Sequence, residues 1–269
     1  MLSWLKELLK LPESKIIQDL DDAASSQLHS QIIWDKKFLR NLYMDFYKEF
    51  RDSIPENDDN KLFVEIGSGG GFIKKVIPNV RTSDLISLPA IDMKFSALDM
   101  PFKAGSGDFF FKLNVLHHIK DIECFFAEVN RCLKLGGKII MIEPANTIWC
   151  RFVHSHFHHE YFDVSGGWSC EENSRLASAN NALPWIVFYR DRTKFQNLFP
   201  SLKIRKLKIH TPFRYIISGG LSYRQLLPSF TYPTIKFIET ALYPFNRYLG
   251  MFLTIEAEKE NILKDEKMC

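Results

Sequence analysis

Glu65, Gly67, Gly69 and Gly71 alternate along residues 62–71, which read LFVEIGSGGG. An apolar run carrying one acid meets four glycines within five positions. Glycine lets the backbone take positive φ and lets a ligand pack directly on the chain. A Walker loop needs GK[ST], which is missing here, and a dinucleotide GxGxxG needs a glycine where Phe72 stands. An acid two residues before the first glycine is unwelcome beside a pyrophosphate. It suits a ligand with positive charge and hydroxyls but no phosphate. S-adenosylmethionine, with an ammonium, a sulfonium and a ribose, meets that description.

Two further acids agree. Asp84 lies 19 residues after Glu65, at the predicted end of a second strand, where a carboxylate can accept both ribose hydroxyls. Asp99, in ALDMPF, is expected to end a third strand and to accept from an adenine amino group. Methyl transfer from a sulfonium is an in-line displacement, in which orientation alone is worth about 7–11 kcal/mol of barrier. A hydroxyl nucleophile gains about 10²–10⁴-fold more from a base. Histidine is the first candidate, and four of the eight histidines fall in HSHFHHE: His154, His156, His158 and His159, followed by Glu160. Three readings stay open for this cluster: a loop with His158 or His159 as the base, a metal site, or a polar surface. His158 or His159 as base is the working expectation, with no metal ligand set assigned. His117 and His118, in NVLHHI, form a second pair.

The elements that must position these residues follow from periodicity. Residues 1–60 read as helical, with Phe38, Leu39, Leu42, Tyr43, Phe46 and Phe50 at helical spacing, closed by PENDDN. KLFVEIG is a strand, FIKKVIP a brief helix stopped by Pro78, and NVRTSDL a second strand. DMKFSALDMPF holds a third strand ending near Asp99, and GDFFFKLNVL a fourth. IECFFAEVNRCLKLGG is a helix expected to stop at Gly136–Gly137, before the strand KIIMIEP. Residues 146–183 read as loop or cap. LPWIVFYRDRTKFQNLF resumes a helix, and SLKIRKLKIH and GMFLTIEAEK are the last strands. Between them, 211–249 is an aromatic and proline-rich insertion. The alternation predicts an α/β fold, a Rossmann-like doubly wound and mostly parallel sheet of seven strands. It carries a helical N-terminal extension (1–60) on a ligand-binding domain (61–269), with 146–183 and 211–249 as cap or substrate elements.

The ordered set VEIGSGGG, SDL, ALDMPF, LNVLHHI and RCLKLGGKIIMIEP resembles the motifs of class I S-adenosylmethionine-dependent methyltransferases, and most the small-molecule type 11 group. The resemblance covers about residues 61–145. It implies that Glu65 and the loop Gly67, Ser68, Gly69 and Gly71 hold the methionine portion, and Asp84 the ribose. Asp99 with the Met100 backbone would hold the adenine, and Asn114 would lie near the methionine or the transferred methyl. Two departures stand out. LISLPAID after Asp84 contains a proline, so the usual helix there is expected to be short or absent. Strand four ends in NVLHHI rather than Asn/Asp-Pro-Pro-Tyr, which favours a small-molecule acceptor. The expected function is methyl transfer to a small-molecule, glycan- or lipid-linked acceptor, at oxygen. The alternatives are an NAD(P)-dependent Rossmann oxidoreductase or epimerase, and a non-catalytic methyltransferase-like partner subunit. Tyr232-x-x-x-Lys236 matches a short-chain dehydrogenase pair, but Pro233 lies inside it and it falls far past the expected region.

Composition bounds the rest. The 269 residues carry a net charge of +3 with acids and bases interspersed, so no basic stripe for nucleic acid is expected. Five scattered cysteines make no CxxC pair, which fits a reducing cytoplasm. The first 11 residues, MLSWLKELLKL, read as an amphipathic helix, docked on the protein or touching a membrane surface. Arg190 and Arg192 are candidates for an anionic acceptor or a paired charged surface. A monomer or homodimer is expected.

Overall fold

A computed structural model describes residues 7–12, 23–56, 60–89, 91–157, 161–169 and 179–262. Seven strands form one sheet in the order β3-β2-β1-β4-β5-β7-β6. They are β1 Phe63–Ile66, β2 Arg81–Asp84, β3 Met93–Lys94, β4 Gly107–Leu113, β5 Leu133–Pro144, β6 Leu202–His210 and β7 Phe252–Lys259. The first five run parallel, and β7 is antiparallel to both β5 and β6. Near-continuous apolar strands require cover on both faces. Alternation along β4 supplies it: Phe110 joins one core, while Phe109, Phe111 and Leu113 join the other.

The helix Lys37–Asp52 (α2) fills the second core. Phe38, Leu39, Leu42, Phe46, Tyr47 and Phe50 are buried on its inner side, and Phe50 stacks on Phe111 at 5.1 Å. Burying each such ring stabilises by roughly 1.5–3 kcal/mol. The N-terminal extension is therefore part of the sheet's own core. A helix before it, α1 (Ala23–Asp35), leads into it. The first core takes Ile122–Cys132 (α3), whose start is capped by Asp121 Oδ1 accepting from the Cys124 N–H at 2.9 Å.

Several expectations are corrected. The brief helix expected in FIKKVIP is a single 3-10 turn, Ile73–Lys75, rather than α-helical. α3 ends at Cys132, four residues before Gly136, because pairing of Gly107 with Leu133 draws the chain into β5. Strand three stops at Lys94, so Asp99 lies in the turn that follows, bridged to Ser96. Residues 146–183 are not wholly loop, since Ile148–Phe157 is a helix (α4) carrying His154 and His156. Among the described residues, none between β2 and β3 is helical, as the proline there suggests.

The insertion between β6 and β7 contains the helices Arg214–Ser218 (α5), Tyr232–Ala241 (α6) and Asn246–Leu249 (α7). Arg214 clamps it to α2. Its guanidinium donates to Glu239 Oε2 at 2.5 Å, Asp45 Oδ2 at 2.6 Å and the Tyr232 hydroxyl at 2.7 Å. Tyr232 and Lys236 both converge on Asp45, at 2.7 and 2.8 Å, which gives the dehydrogenase-like pair a structural role. The described end of the N-terminal segment is stitched to the same insertion, through Leu11 N–H to Ser222 O at 2.9 Å and Arg224 N–H to Leu9 O at 2.7 Å. Residues 1–6 of the amphipathic stretch lie outside the described residues.

Candidate active site

Parallel strands bring the motif residues to their shared carboxyl edge, where open α/β sheets bind ligands. Glu65 sits at the end of β1, only 1% exposed, and its Oε2 has no hydrogen-bond partner. Burial pushes its carboxyl up to about 8; Ser68 opposes the shift and the Asp84 charge adds to it. Tyr43 and Tyr47, one turn apart on α2, feel the Glu65 charge.

The glycines divide by what presses on them. A side chain at Gly70 would strike Ser30 and the Ser26 carbonyl of α1 at 2.6–2.7 Å. One at Gly71 would strike the Tyr47 hydroxyl and Ser68 O. These two glycines admit the protein's own helices. Gly69 differs, with φ +50 and nothing within 4 Å of the position its side chain would take. Its bare backbone faces open space, as a ligand seat requires.

Ser68 is turned inward. Its Oγ accepts from the Ser83 N–H at 3.2 Å, and its N–H donates to Ser83 O at 2.7 Å, locking the loop to β2. Asp84, 4% exposed at the end of β2, accepts from Gly69 N–H at 3.0 Å and from Ile86 N–H at 3.2 Å. Through these two bonds the carboxylate orders the loop at the end of β2.

Asp99 is exposed. The Met100 N–H, expected at an adenine, is already donated to Glu128 Oε2 at 2.9 Å, and the Met100 carbonyl accepts from Arg131 Nη2 at 2.9 Å. α3 thus holds this loop through both backbone groups of Met100. Asn114, directly after β4, has φ +59, a left-handed conformation that Asn tolerates better than most residues. Such strain concentrates at functional positions.

Two residues were missed in the sequence. Glu143, fully buried at the end of β5, accepts from the N–H groups of Val115 and Leu116 at 2.8 and 2.7 Å, and its Oε2 lies 2.9 Å from His117 Nδ1. It holds the NVLHH turn in place. Lys112, also fully buried, has no hydrogen-bond partner for Nζ, which lies over the Phe125 ring at 4.3 Å. Burial lowers its pKa to about 7 against the opposing charges of Glu143 and Asp84. An acid within KIIMIEP and a lysine within FFFKLN are the signals that could have found them.

His158, His159 and Glu160 lie outside the described residues. Of their neighbours, His154 is buried against Phe162 at 5.3 Å, and desolvation with the nearby His117 pulls its pKa down to about 4. His156 is exposed. Among the described residues, no group of three His, Cys, Asp or Glu side chains is placed to hold a metal ion. Arg190 is committed to Asp191 through two 2.8 Å bonds, and to Val164 O at 2.6 Å. An open depression lined by Asp52, Lys61, Asp108 and Gly137 lies at the amino ends of the strands, away from these residues.

Residues 64–141 match a family model described as a methyltransferase domain, Methyltransf_11. No curated protein matches the chain in sequence. Among solved structures, phosphoethanolamine N-methyltransferase 2 of Haemonchus contortus, in complex with S-adenosyl-L-methionine, superposes at a TM-score of 0.50 and 14% identity. That match spans 93% of this chain and 60% of the other. Geranyl diphosphate C-methyltransferase of Streptomyces coelicolor, also 14% identical, gives 0.48 over 90% and 86% of the chains. An S-adenosylmethionine-dependent methyltransferase of Mesorhizobium loti, again 14% identical, gives 0.46 over 79% and 96%.

Proposed function

We propose that this chain, a class I S-adenosylmethionine-dependent methyltransferase, moves the methyl group to a hydroxyl of a small-molecule, glycan- or lipid-linked acceptor in the cytoplasm. The observation that carries the cofactor site is Glu65: a buried carboxylate oxygen without a partner, beside the one loop glycine that faces open space. An orphaned buried acceptor is costly unless a ligand supplies the donor. The cofactor's ammonium supplies it, and the same charge favours ionisation of a carboxyl that burial has pushed up.

The other roles follow from position. Gly67, Ser68 and Gly69 shape the seat, and Gly71, against the Tyr47 hydroxyl, sets the path of the loop beneath it. Asp84 accepts from ribose hydroxyls while ordering Gly69. Asp99 accepts from the adenine amino group, and Met100, its backbone already spent, contributes only through the placement of that turn. Asn114, whose N–H donates to Ile142 O, lies beside the methionine portion, just before the turn that Glu143 holds. The bound cofactor supplies an electrophilic methyl on a sulfonium. The chain's work is to align an acceptor oxygen with it, exclude water and take up a proton. His158 or His159, just beyond α4, is the proposed base; His154, held neutral and buried, packs the helix instead.

A small-molecule acceptor is supported by the NVLHH turn after β4, which stands where Asn/Asp-Pro-Pro-Tyr would; transfer to oxygen rests on the proposed histidine base. The test uses methyl-labelled S-adenosylmethionine with detergent-solubilised glycolipid and soluble sugar fractions. Label recovered as methyl iodide after hydriodic acid treatment supports oxygen. Label that stays in an acid-stable amine or carbon product overturns it.

A further inference from the structure

The insertion 211–249 presents apolar rings to solvent in a way its fold does not require. Phe230 is 81% exposed, Phe237 74%, Tyr243 57% and Phe245 54%. Leu226 and Ile238 add 48% and 41%. These are not residues left over from a loose segment. The opposite side of the insertion is anchored through the Arg214, Glu239, Asp45 and Tyr232 bonds. Phe237 precedes the buried Glu239 by two positions, about 200° round the α6 helix, so its ring points away from the buried face. Phe230, in the 3-10 turn Ser229–Thr231 just before α6, is the most exposed ring of the insertion. A contiguous exposed apolar surface of this kind marks an interaction site.

Charge says what covers it. Residues 211–249 contain a single acid, Glu239, and it is buried against Arg214. Arg224 and Arg247 are exposed, and Arg247 stacks over Tyr248 at 4.6 Å. Lys236 is half exposed while bridging Asp45. The surface continues onto α4, which packs on α7 and exposes Ile148 at 70%, Phe152 at 44% and Arg151. At the other end Glu7, which adjoins Tyr223, is paired with Lys10 at 3.9 Å. Aromatic rings interleaved with cations, with no exposed acid in the insertion, match the interface of an anionic bilayer, where rings sit at headgroup level and Lys or Arg meets lipid charge. Among the described residues no helix is long and apolar enough to cross a membrane, so the surface would lie on the bilayer.

We infer that the outer face of the 211–249 insertion, continued by α4, docks the enzyme on an anionic lipid surface. Because α4 follows β5 at the carboxyl edge of the sheet, docking sets the cofactor site beside the headgroups. The inference does not depend on the acceptor or on the base.

The full-length protein is sedimented with vesicles of phosphatidylcholine alone, and of phosphatidylcholine with phosphatidylglycerol. Binding is expected on the anionic vesicles, to fall by about fivefold per cation removed, as in Arg247→Gln, and to weaken with salt. The double variant Phe230→Ser/Phe237→Ser should lose binding while keeping its heat of S-adenosylmethionine binding, which shows it is folded. No sedimentation with anionic vesicles overturns the inference. So does equal sedimentation of the double variant, or a solution dimer that the double variant splits into monomers.

Discussion

Glu143 Oε2 lies 2.9 Å from His117 Nδ1, with both side chains withdrawn from solvent. The other oxygen of Glu143 accepts two backbone N–H groups of the turn after β4. One carboxylate at the end of β5 therefore fixes the turn that follows Asn114. Glu143→Ala leaves two buried donors unpaired, at about 1–3 kcal/mol each. Urea unfolding should show a loss of several kcal/mol, and Glu143→Gln, which keeps one acceptor, a smaller one. A loss below about 1 kcal/mol for the alanine variant would remove Glu143 from this role.

Gly69 and Gly71 should respond differently to substitution. Gly69→Ala meets no neighbour and bears only left-handed strain of about 1–2 kcal/mol, yet its methyl enters the cofactor seat. Gly71→Ala strikes Tyr47 and the loop backbone. Thermal unfolding should fall little for the first and more for the second, while cofactor affinity falls for both. Unchanged affinity in a folded Gly69→Ala protein would move the seat elsewhere.

Cofactor binding should take up the pH dependence of Glu65. With its carboxyl near 8, ligand-free Glu65 is mostly protonated at neutral pH. A bound cation favours the carboxylate, so binding releases a proton, and affinity rises from pH 6 towards 8 by up to about tenfold per unit. Lys112, near 7, loses its charge in the same window and repels a bound cation less. The slope is therefore read in a Lys112→Met background. Calorimetry in buffers of different ionisation heat should show proton release that Glu65→Gln abolishes. An identical slope in Glu65→Gln would rule Glu65 out as its source.

Lys112→Met should stabilise the fold. The lowered lysine pKa means that the unfolded chain binds a proton the native state does not hold, so native stability rises with pH between about 7 and 10.5. Replacing the buried ammonium with a thioether should add on the order of 1–4 kcal/mol at pH 7, and the gain should shrink towards pH 10. Destabilisation at pH 7 would mean that the Phe125 contact outweighs the burial of the charge.

The sheet was legible because its strands are short apolar runs bounded by glycine, proline and acids, and period alone separates them from helices. Glu65, Asp84 and the loop glycines were legible for the same reason: they end strands. The end of α3 was not, because parallel pairing at Leu133 overrode a glycine stop. The use of Met100 N–H by Glu128 was hidden as well, since the partners lie 28 residues apart and meet only in the fold. In the sequence Gly70 and Gly71 look as open as Gly69, but α1 and α2 press against them. Only long-range packing distinguishes them from Gly69.

The most direct measurement is a calorimetric titration of the full chain with S-adenosylmethionine and, separately, with NAD. The account predicts a saturable, single-site heat from the first and none from the second. Saturation by NAD, or silence towards S-adenosylmethionine from folded protein, would contradict it.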